Sequence, residues 1–170
     1  MKLLIAAAFV AFSVPALAAD PALNDAQIAH IAYTAGALDI AAAEQALEKA
    51  ADPQVKAFAE TMLRDHRAVN EQALALVERL GVTPEDNATS KALSSAAAET
   101  HTRLAALEGA AFDDAYVANE VAFHATVNDA LRGTLIPAAS NAELRALLES
   151  GHALFSQHQQ HAEHLAAGTP

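Results

Sequence analysis

Apolar residues recur at three- and four-residue spacing through four separate stretches of this chain. That period is the signature of helices that bury one face. The first stripe reads Ile28, Ile31, Ala35, Leu38, Ala42, Leu47, and the second runs Val55, Phe58, Ala59, Met62, His66, Val69, Ala73, Leu76, Val77, Leu80. The third carries Tyr116, Val117, Val121, His124, Val127 and Leu131. The fourth carries Leu144, Leu147, Leu148, Gly151, Leu154, Phe155, His158, Ala162 and Leu165. No stretch alternates with the two-residue period of a strand. Four amphipathic helices can satisfy one another only around a shared core, which predicts an all-α four-helix bundle.

Punctuation residues fall between the stripes. Asn24 or Asp25 caps a first helix expected to reach about Ala51. Asp52-Pro53 then supplies an N-cap and a first-turn proline for the second, which Gly81 stops. Val82 to Asn87 reads as a turn-rich connection, and Ala88 to Glu108, rich in Ala and Ser, as a partly helical crossover between helices two and three. Phe112-Asp113 reads as a staple residue and N-cap for the third helix, which fades around Gly133 to Pro137. Asn141 caps the fourth.

The opening MKLLIAAAFVAFSVPALAAD has a basic residue, a short apolar run and an Ala-Leu-Ala cleavage pattern. It reads as a signal peptide over residues 1–18, leaving one helical domain over 19–170 with its core at about 24–166. A periplasmic or secreted protein with no transmembrane anchor after cleavage is the expectation. The absence of Cys rules out disulfides and lipid attachment, so stability must come from the core. Loss of Lys2 leaves 9 basic against 21 acidic residues, a balance that repels nucleic acid and anionic lipid. A protein partner in the envelope is compatible with that surface.

Histidine on an apolar stripe needs a partner or a metal. His66, His124 and His158 each lie on such a stripe, and Asp39 sits on the edge of the first one. Each helix therefore offers one interior ligand, the way metal sites are built inside bundles. Counting from the turns puts Asp39 and His66 level, with His124 close. His158 comes out roughly 6 Å off at 1.5 Å per residue, and His152 fits the height better. His161 flanks His158, His164 faces water, and His30 and His101 read as solvent-side. A metal-free reading is open beside this one: Asp39 can pair with His66, and Tyr116 or Glu120 can hold His124. The di-iron signature of Glu three residues before His is absent, since Leu63 and Val121 occupy those positions.

The segment DPQVKAFAETMLRDHRAVNEQ (Asp52 to Gln72) resembles the most recognisable stretch of domain-of-unknown-function family 4142. FDDAYVANEVAFH (Phe112 to His124) resembles its second motif, and His158 followed by Ala162 its terminal one. Gly36 to Asp39 follows its Gly-x-x-acid pattern, with Asp where the family has Glu. The resemblance covers about Ile28 to Leu165 and implies a ferritin-like bundle of the bacterial envelope. It implies no established activity.

Two functional readings follow. One is a divalent transition metal, zinc, copper(II), iron or manganese, held by Asp39, His66, His124 and His158. With no Cys and only Met62 in the mature chain, copper(I) is disfavoured. The other is a metal-free envelope stress or protein-interaction module whose histidines are structural. An enzyme stands behind both, because no nucleophile–base–orienter set and no phosphate loop is present.

Overall fold

The computed structural model describes residues 23–168, so the signal-peptide reading lies outside the described residues. They form helices α1 (Asp25–Lys49), α2 (Pro53–Leu80), α3 (Ala88–Ala105), α4 (Ala110–Ala130), a π-helical turn (Leu131–Leu135), α5 (Ile136–Ala138) and α6 (Ala142–Ala166). The four long helices make an all-helical bundle, with no strand among the described residues.

The expected caps are present. The Asn24 side chain accepts from Gln27 N–H, while Gln27 reaches back to the Asn24 N–H as a capping box. Asp52 accepts from Gln54 N–H with Pro53 at the first helical position, and Gly81 closes α2 with φ +63°. Asn141 accepts from the N–H groups of Glu143 and Leu144.

The start of α4 differs from the expectation. The helix begins at Ala110 behind Gly109, whose φ of +58° turns the chain, and Asp113 is not its cap. The Asp113 carboxylate instead accepts from the N–H groups of Ala51 (3.0 Å) and Asp52 (2.9 Å). It therefore satisfies the α1–α2 turn from across the bundle, where those donors would otherwise be orphaned. The far end of α4 differs too: it does not fade at Gly133 but winds through the π-helical turn into α5.

Helices α2 and α4 run one way, α1 and α6 the other, and α3 carries the chain back between α2 and α4. Only Ser90 and Leu104 of α3 are buried, as its weak stripe implied. Gln45 and Lys49 of α1 tether it by donating to the carbonyls of His101 and Ala105, each at 3.1 Å.

The apolar core comes in two parts. One gathers Phe58, Met62, Phe112 and Tyr116 near the α1–α2 turn. The other gathers Ile28, Leu76, Leu131, Leu135 and Leu148 toward the opposite end. Between them lies a layer of buried polar side chains.

Candidate metal centre

Asp39, His66, His124 and His158, one from each long helix, all point into that layer and are at most 4 % exposed. Gly36 explains how α1 and α2 come close enough. A Cβ at Gly36 would lie 2.3 Å from Asn70 Oδ1, so any larger residue there would have to displace the Asn70 side chain. One turn along, the same close approach places Asp39 Oδ2 2.9 Å from His66 Nε2. The shorter Asp reaches its neighbour because the helices themselves are near.

The three imidazoles form a nearly equilateral group, with ring centres 5.6 Å (His66–His124), 5.3 Å (His66–His158) and 5.5 Å (His124–His158) apart. His158 is thus level with the others, contrary to the height count. That count stopped α4 at Pro137 and began α6 at Asn141. With the helices running to Ala138 and from Ala142, the offsets are fourteen and sixteen residues. The remaining two, about 3 Å of rise, are within reach of a side chain. Phe155 covers the group, stacked on His66 with 4.5 Å between ring centres.

Local partners fix which nitrogen each ring presents. His124 Nδ1–H donates to the Glu120 carbonyl at 3.0 Å, leaving a buried Nε2 with no partner. His158 Nε2–H donates to Asp65 Oδ2 at 3.0 Å, leaving a buried Nδ1 with no partner. A carboxylate behind a histidine is the usual support of a metal ligand. Both nitrogens of His66 are buried and unpartnered. One ligand atom from each of His66, His124 and His158 lies within 4.8 Å of the others.

Glu120 joins the layer as a buried carboxyl that did not count among the expected ligands. It stands four residues before His124, one position away from the spacing a di-iron motif would show. Asp39, Glu120 and His124 form a second group of ligand atoms within 4.8 Å, sharing His124 with the first.

Electrostatics split the two carboxyls. Burial and the neighbouring Asp39 charge push Glu120 well above the carboxylate range. Burial also acts to raise Asp39, but the neighbouring His66 and His124 outweigh it and hold Asp39 down at about 2. In the metal-free pair the two shifts favour a single proton, on Glu120 rather than Asp39. Burial lowers His124 to about 4, assisted by His66 and His158 and opposed by Asp39. Burial likewise lowers His158 against the pull of Asp65. Tyr116, one turn before Glu120, is raised by burial and the neighbouring carboxyls, and its hydroxyl is buried without a partner.

The residues around this layer fall as follows. His164 and His101 are exposed, as expected, and His161, expected to flank His158, is exposed with its ring edge-on to Phe58. His30 is half-buried rather than solvent-side, and His152 is half-buried with its carbonyl accepting from Ser156. A cleft of about 640 Å³ between α1, α3 and α4 reaches Asp39 from outside, past Gln45 and His101.

A family model described as "Domain of unknown function (DUF4142)" matches residues 12–165. No curated protein and no solved structure matches the chain. Among the described residues, no helix is long and apolar enough to cross a membrane.

Proposed function

The chain belongs to the DUF4142 family, and we propose that it is an exported, ferritin-like envelope protein that holds one divalent transition metal inside its bundle. His66, His124 and His158 supply nitrogens, and Asp39 and Glu120 supply oxygens. The observation that carries this reading is the convergence of unpartnered donor atoms. Nitrogens of all three rings and oxygens of both carboxyls meet in one buried layer without a hydrogen-bond acceptor or donor for each. Buried polar atoms are rarely left so, and each one orphaned costs stability.

The donor set fits zinc, copper(II), iron or manganese, all of which accept imidazole with carboxylate. The bound ion would neutralise the Asp39 charge and take the place of the proton on Glu120. His158 and His124 are already turned to it by Asp65 and the Glu120 carbonyl. The cleft under α3 provides an entry path.

The metal-free reading, an envelope stress or protein-interaction module, draws on the closeness of Glu120 and Asp39, two buried carboxyls that one proton can serve without an ion. Thermal unfolding separates the two. A ligand that binds only the folded state raises the midpoint by mass action. Zinc or copper(II) is expected to raise it in the parent chain and in a His161→Gln, His164→Gln double variant, which removes the exposed cluster. The rise is expected to vanish in His66→Ala and His124→Ala, and to weaken below about pH 6 as imidazoles take up protons. Loss in the double variant with retention in the two alanine variants would make the C-terminal histidines a surface chelator instead.

A further inference from the structure

The part of the bundle beyond Phe155 is hollow. A cavity of about 310 Å³ lies among α1, α2, α4, the π-helical turn and α6, with Ile31, Ala35, Val77, Leu135, Leu148 and Phe155 in its walls. No charged side chain lines it. Its polar residues are Asn70, whose amide is turned to the Tyr33 carbonyl at 3.3 Å, and threonines 89, 126 and 134. Thr89 and Thr126 are exposed, with half-buried Leu93 beside them, and mark a mouth between α3 and α4.

The hollow comes from small residues on stripes that elsewhere carry Leu or Ile. Gly151 is the clearest case. Its neighbours do not require glycine, because a Cβ there would meet only the Phe155 ring edge at an ordinary 3.5 Å. Gly36, where α1 touches α2, has no such freedom. Native interiors are packed to crystal density, and the cost of a void grows with its volume. Left empty, this opening exposes its apolar walls to water or stands as a void, and an apolar ligand relieves both.

We infer that the cavity is a binding site for a single unbranched hydrocarbon chain of roughly eight to twelve carbons, its polar end at the Thr89–Thr126 mouth. A dry apolar cavity of about 150 Å³ accepts benzene, with six carbons, so twice that volume sets the length. The uncharged walls set the class: an aliphatic chain with a neutral head, not a carboxylate drawn to a basic residue. Because Phe155 also stacks on His66, the chain's inner end lies against the wall of the histidine layer. The site stands on its lining and volume alone and does not require a bound metal.

Straight-chain primary alcohols from hexanol to hexadecanol test this, with thermal unfolding of the chain from Ala19 onward followed by circular dichroism. A chelator in the buffer keeps metal out of the readout. The midpoint is expected to rise by roughly 5–10 °C at a hundred times the dissociation constant. The effect should peak between octanol and dodecanol and fall for longer chains. Gly151→Leu and, from the opposite wall, Ala73→Leu should each lose at least half of the response. No rise at any length would overturn the inference, as would a rise that grows steadily with length and is equal in both filled variants. Should neither variant fold, the length profile of the parent chain decides alone.

Discussion

His66 Nε2 stands 2.9 Å from Asp39 Oδ2, yet the two atoms do not meet as an aligned hydrogen bond. Two groups that only needed each other would have aligned. Two groups that share a third partner are held close and aimed elsewhere. Asp39→Ala should therefore lower metal affinity at least tenfold, as should His66→Ala, measured by competition with a chromophoric chelator. Unchanged affinity in either variant would return the pair to a structural role.

Asp65 provides a second check. It touches the layer only through His158 Nε2, which it orients from the rim of the bundle. Removal of such a support behind a metal-bound histidine typically weakens binding about 10- to 100-fold. Asp65→Asn should do so with little change in the metal-free midpoint, since its carboxylate is partly solvated. The same titration reads the result.

The periodic stripes, the caps at Asp52 and Asn141, Asn24 as one of two candidates for the first cap, and the interior positions of Asp39, His66, His124 and His158 were legible in the sequence. They depend on neighbours within one or two helical turns. What was not legible depends on distant partners or on exact helix ends. Asp113 looks like an N-cap because its local pattern is right, but the α1–α2 turn claims its carboxylate. His158 looked too far along α6 because two helix ends each moved by one residue. Glu120 was seen only as a support for His124, because the familiar spacing places Glu three residues before a histidine rather than four. Substitution of Leu by Ala and Gly on the inner stripes leaves no sequence signature of the volume it opens.

Glu120 carries an opposite expectation for stability and for binding. Its folded pKa is raised, so the stability it allows is fully present below its ordinary value of 4.5 and is lost as pH rises toward the folded value. Above pH 4.5 folding must either bury its charge or take up a proton, and both oppose folding. Glu120→Gln removes that requirement and should raise the metal-free midpoint by about 2–6 °C. The same change should cut the metal-induced rise by half or more. A midpoint that drops in the metal-free variant would contradict the shared proton.

His124 sets the acid limb. Its folded pKa is lowered to about 4 from 6.5, so the folded state keeps the ring neutral while the unfolded state protonates it. The stability linked to that neutral ring is intact above pH 6.5 and is lost as pH falls from 6.5 toward 4, up to about 3 kcal/mol. Urea denaturation at a series of pH values should show His124→Gln losing less stability than the parent over that window. Parallel curves would contradict the assignment.

Asp113 is a control on the fold alone. Asp113→Ala leaves the N–H groups of Ala51 and Asp52 without their acceptor and should destabilise by about 1–3 kcal/mol. The metal-induced rise in midpoint should persist, because the residue sits at the α1–α2 turn, away from the histidines.

The most direct measurement is anomalous scattering from a crystal of the untagged chain grown with zinc, collected on both sides of the zinc absorption edge. The account predicts one strong peak in the layer between α1, α2, α4 and α6, about 2.0–2.1 Å from one nitrogen each of His66, His124 and His158. A map with no peak there, or with peaks only at His161 and His164, would contradict it.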